Sequence, residues 1–200
     1  MSRIFLLRHA QSVANDKGFL AGRMDGVALS KKGLNQREQL NQRLAGAKFD
    51  QVISSPIQRC IETIADFYSN PEIVEDFQEV HYGDWTGKKF SSLNRNKAWR
   101  EIHSHPASVR FPSGETLPEV QIRALAGLDK HIAKKSKNVL IATHGDVVRA
   151  LVLHALGSHL NNIEKIDIDN ASISILEKDG PSYRVIRVND TNSNLLDLLK

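Results

Sequence analysis

The 200-residue chain holds a single cysteine, Cys60, and two methionines, and aromatic residues make up only 6% of it. One cysteine excludes an intramolecular disulfide and suits a reducing compartment. No Cys–His motif surrounds Cys60, so it reads as a small buried residue rather than a nucleophile. No apolar run approaches the length of a membrane span. The run after Arg3 is too short for a signal peptide and Arg8 interrupts it, so a cytoplasmic location is expected. The net charge of +4 includes small clusters at Lys31–Lys32, at Lys88–Lys89, and at Lys134, Lys135 and Lys137. No aromatics interleave with these lysines and no nucleic-acid module is visible, so neither nucleic acid nor a membrane is an expected partner. A mild positive field suits a small phosphorylated molecule. Composition does not fix the oligomeric state; a homodimer is compatible with it.

What the chain does have is an ordinary share of core-forming residues, 40% hydrophobic against 25% charged, in a regular alternation of strand and helix patterns. Residues 1–200 are read as one domain. Residues 3–7 read as a buried strand. Ser30 can cap a helix over about 31–45. A strand over 50–54 leads to a helix over about 56–68, with Pro56 in its first turn. Ile73 and Val74 suggest a short strand. The segment from about 76 to 114 is irregular, with loops around one helix near 90–103. A helix over about 116–135 and a buried strand over 138–143 follow. The next helix is stopped at Gly157. Strands over about 171–177 and 183–189 flank turn residues and read as a hairpin. This order predicts an α/β fold, a three-layer sandwich with a mostly parallel central sheet and helices on both faces.

Sites in such sheets gather at the carboxyl ends of the strands. Arg8 and His9 end the first strand, Ser54 and Ser55 end the second, and His144 and Gly145 end the strand at 138–143. If these ends converge, Arg8, Arg59 and His144 surround His9. Guanidinium groups match the oxygens of a phosphoryl dianion and stay charged. Asn15 adds a neutral NH2 donor, and the helix after Gly145 opens with free backbone N–H groups. His9 could then attack phosphorus as a neutral imidazole. Among the carboxylates of the irregular segment, Glu79 has aromatic neighbours, Tyr82 and Trp85, that could desolvate it and raise its pKa. Asp76 and Asp84 are alternatives on composition alone.

The residues in order resemble the histidine phosphatase superfamily, also called phosphoglycerate mutase-like. LLRHAQSVAN resembles its leading R-H segment, with an Asn six residues after the His. SSPIQRCIET resembles the S-S-x-x-x-R segment, EVHYGDWTG the E-x-x-x-G-x-W-x-G segment, and THGDVVR the late H-G segment. The resemblance implies that His9 is the phosphorylated nucleophile and Glu79 the proton donor and later the base for water. It implies that Arg8, Arg59 and His144 bind phosphate, with Asn15 and Gly145 assisting. No metal and no cofactor are implied, and the irregular segment at about 76–114 is implied to cap the site.

Departures are equally specific. Ala10 stands where Gly is commonest. Ala21 occupies the place where many phosphatases have Gln, leaving the backbone of Gly22 or the side chain of Arg23 to compensate. FPSGET resembles a segment of several phosphatase branches and brings in Glu115, either at the substrate or in the first turn of the next helix. Specificity is expected near Arg23, His81, Tyr82 and Glu115, with Trp85 and Arg110 in the same region. The phosphoglycerate mutases resembled carry E-R-H-Y-G, whose Arg helps bind a carboxylate; here Val80 replaces it. The expected activity is therefore a metal-independent phosphomonoester phosphatase acting on a small phosphorylated metabolite. A mutase-type phosphoryl transfer and a non-catalytic phospho-ligand module are the alternatives.

Overall fold

The computed structural model describes residues 1–197 and Leu199. Six strands form one sheet: β1 (Ser2–Arg8), β2 (Gln51–Ser54), β3 (Glu72–Ile73), β4 (Asn138–Thr143), β5 (Ile173–Asp179) and β6 (Ser182–Asp190). Their spatial order is β3-β2-β4-β1-β5-β6. The β3–β2, β2–β4 and β4–β1 pairings are parallel, whereas β1–β5 and β5–β6 are antiparallel. Central strands covered on both faces need unbroken apolar runs, and Ile4 to Leu7 in β1 are all fully buried.

Alternation along each strand sends neighbouring side chains to opposite faces. Ile4, Leu6, Ile53 and Ile141 enter one core, under α6 (Leu117–His131) and α7 (Gly145–Ala155). Phe5, Leu7, Val52 and Leu140 enter the other, under α2 (Lys31–Leu44) and α3 (Gln58–Ile64). Two helical layers on a mixed sheet is the expected three-layer α/β arrangement. The short α1 (Val13–Lys17) follows β1 and is closed by a capping box between Ser12 and Asn15.

Several boundaries differ from the sequence reading. The helix expected near 90–103 is two, α4 (Phe90–Leu93) and α5 (Lys97–Ser104), because Asn96 caps α5 through the Ala98 N–H and interrupts the run. α3 starts at Gln58, two residues after Pro56. α6 stops at His131, where Ile132 turns extended. The late hairpin starts at Ile173 rather than 171, since Ala171 has a left-handed φ of 61°.

The 76–114 segment folds back on itself. Trp85 packs edge-on against Trp99 and Phe111, with ring centroids 5.5 and 5.8 Å apart. Gly83 has φ +52°, and a Cβ there would run into the Pro112 carbonyl. The backbone after Glu79 is thereby locked onto the FPSGE loop. Truncating the sheet centre should affect everything above. Ile141→Ala should lower the urea midpoint by the equivalent of about 2–5 kcal/mol, with an unchanged denaturant slope.

Candidate active site

Register sets the site. Arg8 pairs with Thr143 across β1 and β4, so the next residues, His9 and His144, leave the sheet side by side. Their rings meet edge-on, centroids 5.2 Å apart. Ser54 pairs with Ala142, so Ser55 emerges beside them. The His9 backbone is fixed on both sides: its N–H donates to Thr143 O at 2.9 Å, and its carbonyl accepts from Asn170 Nδ2 at 3.1 Å. The next amide, Ala10 N–H, donates to Thr63 Oγ1 at 2.9 Å.

The ring orientations follow from donor and acceptor chemistry. His9 Nδ1 lies 2.7 Å from the Ala10 carbonyl, which can only accept, so Nδ1 carries the proton and Nε2 keeps its lone pair. Arg59 Nε donates to that lone pair at 3.1 Å. Arg59 Nη2 donates to Gly22 O at 2.8 Å and to His144 Nδ1 at 3.1 Å. His144 therefore carries its proton on Nε2 and donates it to Ser55 Oγ at 2.9 Å. Burial, followed by the charge of Arg59, holds both imidazoles well below the ordinary histidine range. Both are neutral at pH 7.

Arg59 is 2% exposed, yet Nη1 has no hydrogen-bond partner among the described residues. Nε of Arg8 is likewise buried and unpartnered, while Arg8 Nη1 donates to the Ile168 carbonyl. A Cβ on Gly145 would come within 3.2 Å of Arg8 Nε, so glycine lets the guanidinium lie against the start of α7. The first N–H groups of that helix have no intrahelical partners. These cationic and N–H donors line one end of a cavity of about 430 Å3, together with His9, Asn15, Gly22 and Glu79. Asn15 Oδ1 accepts from Ser12 N–H at 3.0 Å and from Ser12 Oγ at 2.9 Å, which leaves its NH2 for the cavity. Such a pocket fits a compact anion.

Glu79 lies at the edge of this cradle, its side chain 12% exposed, with Oε2 3.8 Å from His144 Nδ1. Burial and then the nearby Asp146 push its pKa up to about 7, against the opposing pull of Arg59 and Arg8. Its backbone is clamped. The Glu79 carbonyl accepts from Arg23 Nε at 2.9 Å and from Arg123 Nη2 at 3.1 Å. Glu115 bridges the two guanidiniums, taking Arg23 Nη2 at 2.8 Å and Arg123 Nε at 2.9 Å.

A family model described as the histidine phosphatase superfamily (branch 1) matches residues 4–191. The chain belongs to this superfamily. It is similar to phosphoserine phosphatase 1 of Hydrogenobacter thermophilus, 28% identical over 96% of this chain and 93% of that protein. It is also similar to a 2,3-bisphosphoglycerate-dependent phosphoglycerate mutase of Pseudoalteromonas atlantica, 26% identical over 88% of this chain and 94% of the mutase. Among solved structures, YhfR of Bacillus stearothermophilus superposes with a TM-score of 0.85 at 26% identity, covering 95% of this chain and 98% of that one.

Within this histidine phosphatase the residues expected at the site separate into two groups. Arg8, His9, Asn15, Gly22, Arg59, Glu79, Tyr82 and Gly145 line the cavity, and His144 stands directly behind His9 and Arg59. Arg23, His81 and Glu115 do not line it. Arg23 turns away from the place beside Ala21 to brace Glu79, and Glu115 accepts the His81 N–H at 2.9 Å besides its two arginines. The first turn of α6 is served by Glu119, which closes a capping box with Thr116. Arg110 likewise pairs with Glu119. Cys60 is buried under His144, Sγ 3.4 Å from its Nε2, and burial raises its thiol to about 12.

Sequence reasoning did not single out Asp146, Arg149 or Arg123. Tyr82 donates its hydroxyl to Asp146 at 2.7 Å, and Arg149 pairs with the same carboxylate at 2.9 Å. The i, i+3 spacing of Asp146 and Arg149 at the start of a helix was the available signal; Arg123 offered none. No helix among the described residues is long and apolar enough to cross a membrane.

Asp146 raises the Glu79 pKa by repulsion, so removing its charge must lower it. The Glu79 carboxyl, pushed up to about 7 with Asp146 in place, should titrate clearly lower in Asp146→Asn than in wild type, both followed by carbon NMR of labelled glutamate. An unchanged midpoint would leave burial as the sole cause.

Proposed function

We propose that the chain is a phosphomonoester phosphatase that works through a phosphohistidine on His9. The observation that carries this reading is the neutral His9 Nε2 turned toward a buried guanidinium with unused donors, beside a carboxyl group whose pKa is about 7. Phosphate oxygens take up the free N–H groups of Arg59 and Arg8, and the incoming dianion draws the Arg59 Nε–H away from the His9 lone pair. His9 Nε2 attacks phosphorus as the P–O bond to the alcohol breaks. The Glu79 carboxyl gives its proton to the leaving oxygen. The resulting carboxylate then takes a proton from water, whose oxygen attacks phosphorus. The N–P bond breaks, its electron pair returns to Nε2, and inorganic phosphate leaves. The charge spread over the transferring phosphoryl oxygens is met by the two arginines, by Asn15 and by the α7 N-terminus. No step uses a metal or cofactor.

The phosphoserine phosphatase relative supports hydrolysis. Against mutase chemistry stands Val80, which is fully buried in the core and offers the cavity no cation. In this reading residues 1–200 act as one catalytic domain capped by 76–114, and the free, buried Cys60 thiol suits the cytoplasm. Arg23, His81 and Glu115 serve the cap; of the four residues expected to set specificity, Tyr82 alone faces substrate.

Two measurements test the cycle. Rapid acid-free quenching with p-nitrophenyl phosphate should trap an acid-labile, alkali-stable phosphoprotein in wild type. In His9→Ala both this species and turnover should vanish, and either one persisting would remove His9 from its role. Arg123→Met keeps length and loses the donors to Glu79. It should lower kcat for alkyl phosphates, with poor leaving groups, on the order of 10–100-fold. The loss for p-nitrophenyl phosphate, which needs little protonation, should be smaller. Equal losses would make Arg123 merely structural.

A further inference from the structure

The cavity above His9 is larger than its phosphate end requires. At the ~30 Å3 that a water-sized group occupies in a liquid, about 430 Å3 holds roughly fourteen such groups. A phosphoryl group with its ester oxygen takes about five of these. The remainder is walled by Phe90, Trp99, Ile102, Phe111, Leu117 and Ile163. All but Phe90 are at least nine-tenths buried. They come from α4, α5, the FPSGE loop, the start of α6 and the helical turn Leu160–Lys165 after α7, so the wall is built by the capping segment and the carboxyl half of the chain together.

The charged groups that line the cavity beyond the phosphate end already have partners. Glu164 pairs with His103, both side chains about half exposed, and Asp146 is held by Tyr82 and Arg149. Arg149 is further occupied by the Ile166 carbonyl at 2.8 Å. Among the described residues lining the cavity, Arg149 is the one lysine or arginine besides Arg8 and Arg59, and its guanidinium is already taken up by Asp146 and that carbonyl. A carboxylate on the alcohol half of a substrate would therefore lose its hydration beside apolar walls, with Arg149 already committed to Asp146.

We infer that the preferred substrates are monoesters of an uncharged, largely apolar alcohol or phenol of about six or more carbons, and not small phosphorylated acids. This rests on the phosphatase reading and names its substrate class. The phosphoryl group docks on Arg8 and Arg59, and the alcohol half fills the aromatic wall, Trp99 and Phe111 facing it.

An alkyl series separates size from leaving-group chemistry, since ethyl and n-hexyl alcohols have similar acidity. From ethyl to n-hexyl phosphate, kcat/KM should rise about threefold or more per added CH2 until the cavity fills. Phosphoserine and 3-phosphoglycerate should fall below n-hexyl phosphate. Phe90→Ala, at the less buried edge of the wall, and Trp99→Ala should each cut kcat/KM for n-hexyl phosphate more than for ethyl phosphate. A flat alkyl series, or either phosphorylated acid above n-hexyl phosphate, overturns the inference while leaving the phosphatase reading intact. Were no ester turned over, the phosphatase reading would fail instead. Thermal protection then decides the inference: stronger protection by n-hexyl than by ethyl phosphate sustains it, and equal protection overturns it.

Discussion

Arg59 is the constraint around which the site is arranged. A guanidinium at 2% exposure has lost most of its hydration, a large cost unless polar groups replace the water. Here the replacements are the lone pairs of two imidazoles and one carbonyl, all neutral. Among the described residues no hydrogen-bonded carboxylate neutralises the charge, so its field acts on its neighbours. It helps keep His9 and His144 unprotonated, and it leaves Nη1 uncommitted. An arriving dianion meets a cation that is already dehydrated and fixed, with little reorganisation left to do. The remaining parts of the site are answers to that buried charge.

Glu79 is where the answer is most delicate. Two arginines near a carboxylate favour its ionised form, and an acid donor must resist them. Burial and Asp146 win here, placing the group at about 7, where it can both give and take a proton near neutrality. Asp146 can act this way because Tyr82 and Arg149 hold it in place. Tyr82 is itself part of the 76–114 segment, so the acid strength of Glu79 is tied to how that segment packs beside the site. The Glu115 bridge between Arg23 and Arg123 completes this dependence by fixing the Glu79 backbone from the other side.

The parts of this arrangement carried by strand ends were legible in the sequence. Parallel strands in register deliver the residue after each strand to a common edge, so Arg8, His9 and His144 could be brought together by reading apolar runs alone. Arg59 followed from its short distance beyond the second strand, and the ordered motifs singled out Glu79. The supports were not legible. Arg123 projects from a long helix whose rotation relative to Glu79 depends on core packing, and nothing in its local pattern distinguishes it from a surface arginine. Arg23 and Glu115 stood out as charged residues near the right loops, but their direction is decided by each other, 92 residues apart. Asn96 hid the break between α4 and α5, because a cap in mid-run reads as an ordinary polar helical position. The apolar wall was invisible for a related reason: Phe90, Trp99 and Ile163 belong to separate short elements with no shared period.

The same wall bears on whether the phosphoryl group is surrendered to water or returned to an alcohol. Returning it requires that the dephosphorylated product stay bound and reorient, and a phosphoglycerate skeleton would need a cation to hold its carboxylate meanwhile. Val80 lies in the core, Arg149 is taken up by Asp146, and Arg8 and Arg59 are the proposed phosphate ligands. An apolar alcohol held only by dispersion and dehydration is released once its phosphate anchor is cut, because those forces alone seldom retain so small a group. Its departure leaves Glu79 as a carboxylate facing space that water can enter from the half-exposed Phe90 and His103 edge. Hydrolysis is then favoured by what the cavity fails to hold as much as by the groups that activate water.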